Sequence, residues 1–152
     1  MSSKWKRKGN RKFIQKESYL FLSAAYRALN PVERSAYDEI KWRYDGTNNG
    51  AIGLGERELA GAINMSKDTA RRALSGLQDK GFIVKVRKSG FSVKNRTATE
   101  WRLTEYECHR TGQPPTKEFM RWQPPEKSTG APMRHTGAPM RHATPVLIAK
   151  TG

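Results

Sequence analysis

Apolar and polar positions repeat with two different periods along the chain, and each change of period marks an element. "SYLFLSAAYRAL" (residues 18–29) is an apolar run that predicts a short helix lying on a core. "NPVERSAYDEIKWRY" (30–44) sets Val32, Ala36, Tyr37, Ile40 and Tyr44 on one stripe, so a second helix packs along that face. Its start is marked chemically: Asn30 suits the N-cap, Pro31 the first helical position, and Glu33 can reach back to the cap. "DGTNNG" (45–50) is chain-reversing chemistry, in which Gly and Asn tolerate positive φ, and "AIGLG" (51–55) is a brief extended piece. Glu56 to Ile63 reads as a short helix with Leu59, Ala60 and Ile63 inward. After "NMS" a longer helix runs from a Ser66 cap to a left-handed stop at Gly81, with Ala70, Ala73, Leu74 and Leu77 on its apolar side.

The period then drops to two. "FIVKVR" (82–87) and "WRLTEY" (101–106) alternate as half-buried strands do. The polar, basic "KSGFSVKNRTATE" (88–100) between them makes the pair a hairpin with a long cationic tip. "PPTKEFMRWQPP" (114–125) holds one helical turn expected to lay Phe119 and Trp122 against the domain. Beyond it "TGAPMRH" occurs in tandem from Thr129 and from Thr136, and a proline in every copy rules out a coiled coil. The division that follows is a basic disordered arm over 1–16, a folded domain with a short C-terminal extension over 17–123, and a disordered proline-containing tail over 124–152.

Helix, extended piece, short helix, tight turn, helix, strand, basic loop, strand: this order describes an α+β fold, a winged helix-turn-helix with a helical core and a small antiparallel wing hairpin. The turn carries the sharpest test. Ala60 and Gly61 supply small residues where the two helices meet, Leu59, Ile63, Met65, Ala70 and Ala73 supply apolar contacts across the bend, and Asn64 tolerates left-handed geometry. The stretch "ELAGAINMSKDTARRALSGLQDKGFI" resembles the DNA-binding module of GntR-type regulators and other bacterial winged-helix proteins, over Ile52 to Thr104. "NNGAIGLGERELA" resembles winged-helix proteins carried by prophages and plasmids, including some replication initiators. Gly55 stands where the family usually has a capping serine, and Asn64 replaces the usual turn glycine. Too little chain follows Thr104 for the effector-binding domain that GntR-type regulators carry, so no metabolite pocket is expected.

Charge sharpens the expectation of a partner. Lys and Arg number 29 against 14 Asp and Glu, a formal +15, and the arm is purely basic. A polyanion is the natural partner, because each neutralised phosphate releases condensed counterions. On the longer helix, Ser66, Lys67, Asp68, Thr69, Arg71 and Arg72 occupy the first turns away from the apolar side. Residues so placed in a recognition helix reach base edges in the major groove. The resemblance singles out Lys67, Thr69 and Arg71. Arginine suits guanine, whose O6 and N7 meet its fork. Ser66 and Thr69 suit phosphate, and Arg72 suits either. The competing reading makes Arg71 and Arg72 solvating residues paired with Asp68. The wing offers Arg87, Lys88, Lys94, Asn95 and Arg96 to backbone or minor groove. The arm offers Lys4, Lys6, Arg7, Lys8, Arg11 and Lys12 to phosphates, with Trp5 free to stack on bases.

The expected function is therefore sequence-specific binding of double-stranded DNA, as a transcriptional regulator or a replication or maintenance factor of a mobile element. A protein-binding adaptor and a non-specific architectural protein are the alternatives, and RNA is disfavoured by the lack of an aromatic strand platform. No catalytic constellation is visible, so an enzyme is not expected. Cys108, His109, His135 and His142 have no zinc-like spacing, so neither metal nor cofactor is expected. A single cysteine and no membrane-length apolar run suggest a cytosolic protein with no membrane partner, and the resemblance implies a bacterial cytosol or nucleoid. The tail's "PVLIA" is a candidate clip for a protein partner, and Phe13, Ile14, Tyr19 and Phe21 are candidates for a homodimer interface.

Overall fold

The computed structural model describes residues 12–92 and 95–126. In chain order they form α1 (Ser18–Leu22), α2 (Ala24–Arg27), α3 (Pro31–Arg43), β1 (Ile52–Gly53), α4 (Glu56–Ala62), α5 (Lys67–Asp79), β2 (Ile83–Arg87), β3 (Gly90–Ser92), β4 (Asn95–Thr97) and β5 (Glu100–Leu103), then a 3-10 turn at Glu118–Met120. The fold is α+β, with the element order of a winged helix-turn-helix.

Local chemistry sets the helix ends. The Asn30 side chain accepts from Glu33 N at 2.9 Å, and the Glu33 carboxylate accepts from Asn30 N at 2.9 Å, a complete capping box with Pro31 in the first turn. The first apolar run differs from expectation, because it forms two helices instead of one. Ser23 turns extended between them (ψ 147°), its hydroxyl accepting from Tyr26 N and donating to Leu20 O. A serine competes with the helix through such side-chain bonds, and here it ends one helix and caps the next.

The sheet has the order β1-β5-β2, antiparallel throughout, and β3 pairs with β4 beyond it. β5 is thus the central strand. Trp101, Arg102 and Leu103 are all buried, which corrects the expected half-buried alternation. On β2 the register shifts between Lys85 and Arg87, leaving Val86 40% exposed where alternation puts it inward. The core joins helices, sheet and C-terminal segment through aromatic rings. Phe82 stacks on Phe119 at 5.0 Å between centroids and meets Tyr37 at 5.2 Å, while Trp122 packs partly against the same core.

Two buried polar groups tie the layers. Asn49, fully buried, accepts from Leu103 N at 2.7 Å and donates to Leu103 O, Tyr106 O and Glu107 O at 2.9, 3.1 and 2.9 Å. Its amide stands in for the neighbouring strand that β5 lacks beyond β1. Lys41 Nζ lies 2.8 Å from Glu105 Oε2, with both side chains almost wholly buried, and the Tyr37 hydroxyl donates to the same oxygen at 3.0 Å. Burial and the adjacent carboxylate hold the Tyr37 phenol well above its ordinary pKa, so it remains a donor. Lys41 also donates to Gln15 O, and Lys16 Nζ lies 3.0 Å from Asp38 Oδ2. Residues 12–16, expected within a flexible arm, therefore lie along α3.

Breaking a buried pair on one side strands a charge. Lys41→Met should lower unfolding free energy by about 3 kcal/mol, and adding Glu105→Gln should recover most of it. Urea titration of both variants checks this; a loss for Lys41→Met below about 1 kcal/mol would show the pair to be dispensable.

Candidate nucleic-acid interface

The bend between α4 and α5 rests on its backbone. Ile63 ends α4, Asn64 takes φ 54°, and Met65 N donates to Ala60 O at 2.9 Å with Asn64 N on Gly61 O at 3.4 Å. This is the Schellman pattern, with asparagine in the left-handed position usually given to glycine. Two expectations about the bend need correction. Gly61 is exposed, and a Cβ there would meet nothing within 4 Å, so its smallness serves no helix contact. Met65 is 48% exposed and contributes little across the bend, whereas Leu59, Ala60, Ala70 and Ala73 are buried. Gly55, at the N-cap of α4, supplies no side-chain cap.

α5 is closed at both ends. Ser66 Oγ accepts from Thr69 N at 3.2 Å and lies 2.9 Å from Thr69 Oγ1. Both hydroxyls are thus engaged in the cap, which weakens the expectation that they serve phosphate. At the other end Phe82 N donates to Leu77 O and Gly81 N to Gln78 O, each at 2.9 Å, with Gly81 at φ 78°. A Cβ on Gly81 would lie 2.8 Å from Glu118 C and Phe119 N, so the C-terminal segment seals this cap.

The small residue that sequence reasoning missed is Gly76. A Cβ at this position would fall 2.9 Å from Glu33 Cδ and closer still to Glu33 Oε1. That carboxylate is already held by the α3 cap and by Lys80 Nζ at 3.0 and 3.2 Å. Glu33 therefore fixes α5 against the start of α3. The signal was present only as an acid suited to a capping box; its second partner lies far along the chain.

The outer face of α5 exposes Lys67, Asp68, Arg71 and Arg72, with Thr69 half-buried. Arg71 pairs with Asp68 at 3.1 Å, and Lys67 stands 3.9 Å from Glu56 at the start of α4. Such exposed pairs add little to folding stability. On the wing, Arg87 lies 3.7 Å from Glu100, which also binds Arg110 at 2.6 Å, while Lys88 is exposed. Asn95 and Arg96 belong to β4, in register with Ser92 and Phe91. Lys94 lies outside the described residues, as do Lys4, Lys6, Arg7, Lys8, Arg11, the tandem repeat and "PVLIA". Lys12 Nζ sits 4.3 Å over the Trp42 ring, away from any carboxylate partner among the described residues. Of the residues named for a homodimer, Phe13 is 75% exposed and Phe21 43%, while Tyr19 stacks on Phe119.

A groove of about 650 Å³ runs between the start of α4, the start of α5 and the wing. Glu56, Lys67, Ser89, Thr97 and Thr99 line it, together with Arg57, an exposed cation that sequence reasoning passed over. Its signal was an arginine in the first turn of the helix preceding the recognition helix. Among the described residues no cluster of three or more His, Cys, Asp or Glu is placed to hold a metal, and no helix is long and apolar enough to cross a membrane.

No protein-family model matches the chain, and no curated protein does. A solved structure described as the N-terminal domain of a DNA binding protein is 19% identical, over 60% of this chain and 73% of that one, with a TM-score of 0.43. At that identity and TM-score the likeness adds nothing to the reading of the site.

Gly76→Ala should lower stability by about 2 kcal/mol, since Glu33 must leave its partners. In a Glu33→Ala background the same change should raise stability by about 1 kcal/mol, the helix preference of alanine over glycine. Thermal unfolding of the four proteins gives the comparison; the same sign in both backgrounds would refute the clash.

Proposed function

We propose that the chain binds duplex DNA with sequence preference, as a transcriptional regulator or a replication or maintenance factor of a mobile element. α5 enters the major groove and the wing rests on the adjoining backbone. One observation carries this reading: Lys67 at the head of α5 and Ser89 and Thr97 of the wing line one groove, so helix and wing address the same ligand. The remaining support is chemical. Arg71 and Arg72 stand exposed on the first turns of a helix held rigidly from behind by Ala70 and Ala73, and a rigid helix aims side chains at base edges. The excess of cations supplies the long-range attraction. This role is one of binding and calls for no catalytic group.

Selection from a randomised duplex library near physiological salt tests the reading. An enriched motif is expected, and its symmetry reports whether one or two copies bind. Strong retention without enrichment would replace sequence reading by a non-specific coat, and no retention would favour a protein-binding adaptor. On the selected site, Arg71→Ala should relax preference at a base position, while Lys8→Ala should weaken all duplexes alike. Uniform loss in both variants would refute that division of labour.

Salt offers a second check. Contacts to about six phosphates from wing and arm give a log–log slope of affinity against salt near −5. A slope close to zero would exclude the electrostatic grip.

A further inference from the structure

Asp68 and Arg71 sit one turn apart on the open face of α5, joined at 3.1 Å, with 68% and 63% of their side chains exposed. A pair this open to water contributes little to folding, and an acid in a helix's first turn contributes little more. Yet the carboxylate lies in the middle of the face that the reading above turns toward DNA, where a negative charge opposes phosphate. Arg72, its neighbour, has no carboxylate partner among the described residues.

We propose that Asp68 is a specificity-determining residue: it holds the Arg71 guanidinium for a base edge and denies that guanidinium to phosphate. This inference rests on the duplex-DNA reading. A guanidinium carries five N–H donors, so one contact to Asp68 leaves a two-donor fork free. The pair is neutral as a unit. A phosphate therefore gains little from approaching it and meets the carboxylate's repulsion. A guanine edge is uncharged, presents O6 and N7, and accepts the free fork in bidentate fashion. The carboxylate in turn can accept from a cytosine amino group. Asp68 thus lowers the affinity for wrong DNA as well as ordering the contact to right DNA, and discrimination is the difference between those affinities. Lys67 stands in the same relation to Glu56, at a looser 3.9 Å. Arg72, with no carboxylate partner among the described residues, is open to phosphate as well as to a base edge.

The test uses full-length protein carrying Asp68→Asn, Arg71→Ala or both, on the duplex selected by the unaltered chain and on a scrambled duplex, across a salt series. Asp68→Asn should bind the scrambled duplex about threefold more tightly, as expected for loss of one exposed repulsive charge. Its salt slope on that duplex should steepen by about one. The ratio of selected to scrambled affinity should fall about tenfold, and Asp68→Asn should change that ratio less in the Arg71→Ala background than it does alone. An unchanged melting temperature separates these effects from damage to the helix start. Equal weakening on both duplexes, or an unchanged ratio, overturns the role of Asp68 while leaving duplex reading intact. An unaltered chain without sequence preference overturns the reading and this inference with it.

Discussion

The Glu33 carboxylate closes the start of α3 with one oxygen and holds the Lys80 ammonium with both, and the bare edge of Gly76 lies against it. A mostly buried carboxylate tolerates such a place only while every partner stays, since an unpaired buried charge is strongly unfavourable. The same α3 is tied at its other end to the sheet through Lys41 and Glu105. The position of the proposed reading helix is therefore passed along a chain of buried charges: from the end of β5 to α3, and from α3 to α5. Hydrophobic packing brings these elements together without fixing their register; the charges select one arrangement.

The sheet serves this scheme from the other side. Asn49 ends the pairing of β5 with its side chain and lets the chain turn back, so that Phe119 reaches Phe82 beneath the end of α5. The wing grows from the opposite end of the same strands, where the shift in β2 near Val86 turns its edge outward. Arg71 and Lys67 of the helix and Arg87 of the wing each stand near a carboxylate, while Arg72 of the helix and Lys88 of the wing have none beside them among the described residues.

Features written in a few adjacent residues were legible in the chain: the Asn30–Glu33 box, the Ser66 cap, the left-handed Asn64 and Gly81, and the docking of Phe119 and Trp122. Each is local, or is forced by an apolar ring with nowhere else to go. Features that needed a distant partner were not. β5 is central only because β1, a two-residue strand far away in sequence, pairs with its open edge, and Arg102 is buried where it bonds Gln113; alternation alone reads such a strand as half-exposed. Gly61 looked like the contact glycine because it stood at the bend, but Gly76 touches the neighbouring helix. Nothing in the chain marks Lys41 and Glu105 as buried, because charge is a sign of exposure until a partner is known. The candidate base-reading residues were named from position on a helix face, and their division into paired and unpaired cations required coordinates.

The seal that Phe119 makes over Gly81 also carries a consequence for the order in which the molecule is assembled. A ribosome delivers α5 and Phe82 well before it delivers the segment that covers them. In that interval Phe82 lacks its stacking partner, and the end of α5 is closed only by its own backbone bonds. The proposed reading helix thus receives the last of its packing partners late, although it lies in the middle of the chain. Residues after the wing act on the newborn domain as a latch, completing the proposed reading head only once synthesis has passed it.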